Sequence, residues 1–233
     1  MRGILMQIQN PDMGEEALEP TEKTLSVLDL ILSGGIGGQL VMATLFILSV
    51  IAVYIFVERY MSIKKAAQED HNFMNNIKDF IHDGKLESGI QLCQRTNTPV
   101  ARMIEKGITR VGKPLSDISA AVENVGKLEI SKLETNLATL ATISGAAPMI
   151  GFLGTVIGMI LAFHEMAMAG GQINVEMLST GIYTAMTTTV AGLIVGIVAY
   201  IGYNLLVVKV EKVVHKLETR TTEFLDLLHE PVK

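Results

Sequence analysis

The residues of this chain whose type and spacing suggest chemistry inside a membrane are threonines. They lie in two apolar stretches and comprise Thr139, Thr142 and Thr155 in the first and Thr180, Thr184, Thr187, Thr188 and Thr189 in the second. Steps of four residues place Thr180, Thr184 and Thr188 on one face of a helix. Such a face indicates a polar interior, filled by water or by a polar group of another chain, or else helix packing in which each hydroxyl bonds its own backbone.

Acidic and basic side chains are missing from the interior of both stretches. No Asp, Glu, Lys or Arg lies in residues 138–163 or 178–208, and His164, Glu165 and Glu176 fall at the outer boundary. A threonine hydroxyl can hydrogen-bond a carboxylate, but it does not titrate near neutral pH. If protons cross here, another subunit must therefore supply the titrating group. The pair His164 and Glu165 is either a proton entrance or an interfacial pair in water.

Small residues follow the same two stretches. The pairs Gly154 with Gly158 and Gly192 with Gly196 each have the small-xxx-small spacing that lets membrane helices approach closely. We therefore predict that these four glycines mediate helix packing. Pro148 removes one backbone hydrogen bond and predicts a kink or a hinge in the first of the two helices.

The elements that must position these residues are membrane-spanning helices. The 233-residue chain is 49% hydrophobic and only 18% charged, against about 25% charged residues in an average soluble domain. Three apolar stretches, 40–57, 137–167 and 178–208, are long enough to span a bilayer. The sequence therefore predicts an all-α integral membrane protein with three transmembrane helices.

The basic residues predict the orientation. Residues 58–137 hold twelve Lys and Arg and residues 209–233 hold five, whereas 138–208 hold none. Because Lys and Arg collect on the cytoplasmic side, residues 58–136 form a cytoplasmic region and 209–233 a cytoplasmic tail. The segment 1–39 and the loop 168–177 are then periplasmic. The first of these is either disordered or an amphipathic helix on the membrane surface.

Both of the last two membrane helices are predicted to extend far into the cytoplasm. An apolar pattern from 114 runs without a linker into the second span, and another continues the third span to Leu228. A helix over 178–228 is about 76 Å long, more than twice the hydrocarbon thickness. The part of this helix beyond the membrane carries a line of apolar residues, here called the seam, which needs a partner helix unless the tail is simply solvated. The seam consists of Val207, Val210, Val214, Leu217, Thr221, Phe224 and Leu228.

Several function classes are disfavoured by composition. A net charge of −5 argues against nucleic-acid binding. The single Cys93 excludes an internal disulfide and is expected to be a buried packing residue. No nucleotide-binding, hydrolase or metalloprotease motif occurs, and the five histidines have no ligand-like spacing. We therefore expect neither an enzyme nor a cofactor.

Two runs of the sequence resemble the signature helices of the MotA/TolQ/ExbB proton-channel family, most closely its ExbB members. The runs are LATLATISGAAPMIGFLGTVIGMILAF and STGIYTAMTTTVAGLIVGIVAYIGYN. The resemblance implies a homopentamer in the bacterial inner membrane, whose last two helices surround a dimer of single-span, ExbD-like partners. It also implies that protons are the coupling ion, that each partner helix carries a titrating Asp, and that the motion is passed to a TonB-like protein that energises outer-membrane transport. Thr155 and Thr189 match the family threonines that face this Asp.

The chain departs from the family at one position. Many members carry Glu five residues before the second threonine, where this chain has Thr184. The departure weakens any relay through this subunit's own carboxylate and favours an acid supplied by the partner. We predict a pore lined by Thr142, Thr155, Thr184, Thr188 and Thr189. A TolQ-like role in envelope maintenance, a gliding or flagellar stator, and a non-conducting scaffold are the alternatives; internal repeats that would indicate a secondary transporter are not evident.

Overall fold

The computed structural model describes residues 35–68, 72–168 and 175–229, and all of its regular structure there is helical. Most of the segment 1–39 and of the loop 168–177 therefore lies outside the described residues. The helices are α1 (Gly35–Ala67), α2 (Phe73–His82), α3 (Leu86–Thr96), α4 (Pro99–Ile108), α5 (Leu115–Glu134), α6 (Leu137–Met168) and α7 (Val175–His229).

Three of these helices, α1, α6 and α7, are long and apolar enough to cross a membrane. This confirms the predicted three-span, all-α architecture. Helix α7 has 55 residues and is about 82 Å long, so its C-terminal half extends well beyond the bilayer, as predicted. Many side chains on α1, α6 and α7 are apolar and exposed, as expected for helices that face lipid or other subunits.

The helix of the second span extends beyond its apolar stretch as predicted, over Leu115–Met168, but it is interrupted at Thr135 and Asn136. Helix α5 ends at Glu134, Thr135 is extended (ψ 136°), and Asn136 adopts a left-handed conformation (φ 63°) before α6 begins. Asparagine tolerates this conformation better than other non-glycine residues. The apolar pattern did not reveal the break because Leu133 and Leu137, on either side of it, are both buried.

The part of α7 that continues beyond the third apolar stretch is packed rather than solvated. Its most buried residues are Leu206, Val210, Val213, Leu217 and Phe224, whereas Val207, Val214, Thr221 and Leu228 of the predicted seam are half-buried. The buried face of α7 is therefore rotated slightly from the face that the predicted seam residues define. Its partners are the short helices α2, α4 and α5 of the same chain.

The core between the short helices α2 to α5 and the end of α7 is apolar. The Phe224 ring lies against Gly107, where a Cβ would meet it closely, and Val122 completes the contact. Cys93 has no exposed surface. Burial, with a smaller contribution from Glu105, raises the pKa of the Cys93 thiol to about 12. The thiol is therefore inert at neutral pH and serves as an apolar packing group.

A network of charged side chains connects α1, α4 and α5. Glu129 of α5 is 4% exposed and accepts hydrogen bonds from Arg102 and from Lys132, the latter at 2.7 Å. Arg102 also donates to Asn97 in the turn before α4. Arg59 of α1 donates to the carbonyl oxygen of Lys132 at 2.9 Å. The first span is therefore tied to the last turn of α5, just before the break.

We expect stability to fall at acidic pH through Glu129. Burial alone would raise the pKa of this carboxyl, but the hydrogen bonds and charges of Arg102 and Lys132 outweigh it, so its pKa lies below the ordinary 4.5. A lowered pKa contributes stability above the ordinary value, which is lost as pH falls through the folded-state pKa. Thermal unfolding in detergent, followed between pH 6 and about pH 3, should therefore show a smaller pH-dependent loss for Glu129→Gln than for the wild type.

The exposed Glu123 of the same helix provides the matched control. Glu123→Gln should keep the pH dependence of the wild type. If Glu129→Gln and Glu123→Gln lose stability alike on acidification, the network does not carry the effect.

Candidate functional site

The backbones of α6 and α7 touch at two glycines. A Cβ on Gly151 would lie 2.7 Å from the carbonyl oxygen of Thr188 and 3.0 Å from the Cα of Gly192. A Cβ on Gly192 would lie 2.6 Å from the carbonyl oxygen of Ala147. Because backbone atoms cannot move aside as a flexible side chain can, this crossing accommodates glycine alone.

The four glycines predicted for helix packing lie along this same contact. Gly154 faces the side chain of Thr188, Gly158 faces Ala185, and Gly196 faces the ring of Pro148. Gly192 is part of the crossing itself. Helix α6 is continuous through Pro148. The ring of Pro148 therefore fills the space that a side chain at position 196 would need, and its role as a kink or hinge stays a prediction.

Three of the predicted threonines meet at this crossing. The carbonyl oxygen of Gly151 accepts hydrogen bonds from Thr188 at 3.1 Å and from Thr189 at 3.2 Å. The hydroxyls of Thr155 and Thr189 bond each other, and one of them supplies the proton of that bond. The hydroxyl oxygen of Thr155 also lies 3.2 Å from the carbonyl oxygen of Ala185 across the helix pair, an alternative acceptor for its single proton. The bond from Thr155 to the carbonyl of Gly151 in its own helix is longer, 3.4 Å. The hydroxyl of Thr188 lies still closer, 2.7 Å, to the carbonyl oxygen of Ala185 in its own helix. Carbonyl oxygens of both helices are therefore within reach of the cluster hydroxyls.

The three hydroxyls of this Thr155/Thr188/Thr189 cluster differ in exposure. Thr188 is only 2% exposed, whereas Thr155 and Thr189 are half-buried. Each hydroxyl has one proton to donate and two lone pairs to accept. The bond between Thr155 and Thr189 uses one of their four lone pairs, so this pair can still accept a hydrogen bond from outside the helix pair. Either hydroxyl can also rotate to donate to an anion.

The other predicted pore residues lie elsewhere. Thr184 is buried, with 9% exposure, one turn before Thr188 on α7. Thr142 is exposed, lies 13 residues before Thr155 on α6 and donates to the carbonyl oxygen of Ala138 at 2.9 Å. The structure therefore places Thr184 beside the cluster and Thr142 about 20 Å away along α6. Thr187 is also bonded to its own helix, through the carbonyl oxygen of Tyr183.

Sequence reasoning missed the acceptors of the cluster. Gly151 and Ala185 supply the carbonyl oxygens, and each lies four residues before a cluster threonine, Thr155 and Thr189 respectively. That spacing predicts a bond within one helix. Only the contact between the helices shows that the bonds cross over. The paired spacing of Gly151 with Thr155 and Ala185 with Thr189 could have indicated the two acceptors, but not which helix supplies the donor.

Three long apolar helices, two of them joined by a buried hydroxyl cluster, define a multi-pass membrane protein with a polar site inside its helix pair. Residues 95–219 match the sequence model of the MotA/TolQ/ExbB proton channel family, more than half of the chain. The chain belongs to this family. The match includes all of α6, the cluster threonines and most of α7, which confirms the resemblance seen in the sequence.

Individual relatives carry both ExbB and TolQ names. The Tol-Pal system protein TolQ of Haemophilus influenzae is 29% identical over 227 residues, covering 88% of this chain and 94% of that protein. A putative biopolymer transport protein, an ExbB homolog of Methanothermobacter thermautotrophicus, is 25% identical over 83% of this chain and 67% of its own length. The biopolymer transport protein ExbB of Aquifex aeolicus is 39% identical over 100 residues, 42% of this chain. The similarity therefore covers both branches.

Proposed function

We propose that this chain is an ExbB-like subunit of a motor in the inner membrane, driven by the proton-motive force. The observation that carries the proposal is a hydroxyl cluster within two helices that contain no Asp, Glu, Lys or Arg over residues 138–163 and 178–208. Such a site can hold a titrating acid but cannot supply one. The acid is therefore expected on a single-span partner helix.

The cluster would make different hydrogen bonds to the neutral and to the ionised form of a partner acid. A neutral carboxylic acid donates a proton, and the free lone pairs of Thr155 and Thr189 can accept it. An ionised carboxylate needs donors, so one of these hydroxyls must turn away from its backbone carbonyl. Hydrogen bonds to charged groups contribute about 1.5–3 kcal/mol, against about 0.5–1.5 kcal/mol for neutral pairs, which favours this rotation. Protonation therefore changes the preferred position of the partner helix.

The proton gradient supplies enough free energy for such a cycle. Moving one elementary charge through 100 mV releases about 2.3 kcal/mol. In the proposed assembly, five copies of this chain surround a dimer of ExbD-like helices, and a TonB-like protein receives the motion. The N-terminus is periplasmic, and α2 to α5 with the end of α7 are cytoplasmic, as the distribution of Lys and Arg indicates.

A TolQ-like role in envelope maintenance is the second candidate. The TolQ relative of Haemophilus influenzae aligns with almost the whole of both chains, whereas the ExbB relative of Aquifex aeolicus aligns with less than half of this one. Both roles need a partner acid and a proton path. The native mass of the assembly, after expression with each candidate one-span partner, separates them because it reports which partner binds and in what number.

Proton uptake into liposomes tests the proposed function. The purified chain should conduct protons only when a one-span partner is reconstituted with it, and Asp→Asn in the partner helix should abolish uptake. Uptake without any partner would contradict a mechanism in which the partner helix supplies the titrating acid. An absence of uptake with every copurifying partner would favour the non-conducting scaffold.

A further inference from the structure

A small cavity lies where α1 leaves the membrane, outside the hydroxyl cluster. Its volume is about 240 Å³, and it opens between α1, the turn before α4 and the end of α5. Its lining residues with polar side chains are Ser62, Lys65, Asn97, Thr98, Arg102, Glu129 and Lys132. Among the titratable groups in the lining, three are cationic and one is anionic, so the cavity has an excess positive charge of two.

The cavity has more hydrogen-bond donors than acceptors. Both carboxylate oxygens of Glu129 are already occupied, one by Arg102 and one by Lys132. The buried Nε of Arg102 has no hydrogen-bond acceptor. Lys65 has no ion pair among the described residues. The excess positive charge and the unpaired ammonium group of Lys65 suit the cavity to a ligand that brings both negative charge and acceptor oxygens.

The position of the cavity indicates where such a ligand comes from. Ser62 and Lys65 follow Val57, the end of the first apolar stretch, by five and eight residues, which is about 8 and 12 Å along the helix. The headgroup layer is about 5–8 Å thick on each side of the hydrocarbon. Met61, next to Ser62, is still 53% exposed, so the apolar surface of α1 reaches the level of the cavity. Lys65 can extend its ammonium group back towards the membrane surface.

We infer that this cavity binds the phosphate group of an anionic lipid in the cytoplasmic leaflet. Basic pockets beside membrane helices on this side of a membrane are suited to anionic headgroups. Lys65 and Arg102 would hold the phosphate oxygens, while Ala66 and Leu133 provide an apolar wall. The inference goes beyond the proposed function and shares with it only the assignment of α2 to α5 to the cytoplasmic side.

Lipid binding to the purified, delipidated full-length chain tests the inference by native mass spectrometry. Phosphatidylglycerol should bind the wild type, and Lys65→Gln should weaken that binding by about fivefold. Lys64→Gln is the matched control, because Lys64 is the exposed neighbour on α1 but does not line the cavity. It should bind phosphatidylglycerol as the wild type does, and phosphatidylcholine should bind the wild type more weakly.

Two results would overturn the inference. Equal binding by the two lysine variants would mean that general surface charge, and not the cavity, attracts the lipid. Binding of inorganic phosphate that depends on Lys65, without such dependence for phosphatidylglycerol, would assign the cavity to a soluble phosphate compound. Because the readout is lipid binding and not proton uptake, either result leaves the test of the proposed function separate.

Discussion

Replacing Thr155 and Thr189 by valine together is expected to reduce proton uptake to background, a loss of more than about tenfold. Valine keeps nearly the shape of threonine but removes the hydroxyls that would bond the partner acid. Since both members of the hydroxyl pair become apolar together, no partner of that bond is left unpaired, and the fold should survive. Uptake by liposomes containing the variant and its one-span partner is the measurement.

Thr142 and Thr187 offer a matched control on the same two helices. Each is bonded to the carbonyl oxygen four residues earlier in its own helix and lies outside the cluster. The double variant Thr142→Val with Thr187→Val should therefore conduct more like the wild type than the cluster variant does. This control also tests the predicted pore role of Thr142, which the structure places far from the crossing. Unchanged uptake after removal of the cluster hydroxyls would count against the proposed site.

Gly151→Ala is expected to disrupt the packing of the two membrane helices α6 and α7. Its Cβ would lie 2.7 Å from one backbone atom of α7 and 3.0 Å from another, so the helices must separate. Overpacking of this kind costs about 1–3 kcal/mol. Separation would also lengthen the bonds that Thr188 and Thr189 make to the carbonyl of Gly151. We therefore expect both a lower unfolding temperature in detergent and a loss of proton uptake.

Gly145 provides the control for this substitution on the same helix. A Cβ at Gly145 meets no atom of the described residues within 4 Å. Gly145→Ala should therefore keep the thermal stability of the wild type or raise it slightly, since alanine favours helix. If both substitutions leave the unfolding temperature unchanged, the helix crossing is looser than the structure shows.

The membrane architecture could be predicted because it depends on single-helix properties. A run of about 20 apolar residues specifies a span regardless of what surrounds it. The same holds for the extension of α7, whose heptad-like seam continues past the last apolar stretch. Its partner could not be identified from the pattern, because the seam packs on helices more than 70 residues earlier, around residues such as Ile104 and Val122.

The break between α5 and α6 shows the limit of periodicity. Apolar spacing reports which face is buried, and that face continues across Thr135 and Asn136. A left-handed asparagine changes the backbone direction without changing that pattern. The charged network escaped prediction for a related reason. Arg59 and Lys132 are separated by more than 70 residues, and only the tertiary fold brings the guanidinium to the backbone carbonyl.

The candidate site was predictable in part. Clustered threonines and glycines in apolar helices indicated both hydroxyl chemistry and close packing. The spacing of Thr184 and Thr188 gave one face of α7, and both side chains are buried. The sequence could not show that Thr155 and Thr189 bond each other, because that contact depends on how α6 and α7 are shifted along their axes relative to each other. Thr142 was grouped with them on residue type alone, and its distance along α6 separates it from the cluster.

A structure of the assembled complex with its one-span partner tests the central claim most directly. Electron cryomicroscopy of the copurified assembly should place a carboxylate of the partner helix within about 3 Å of the hydroxyl oxygen of Thr155 or Thr189. The half-buried hydroxyls would then face the partner across the centre of the oligomer. A map in which Thr155 and Thr189 face acyl chains, with the partner's carboxylate elsewhere, would contradict the account.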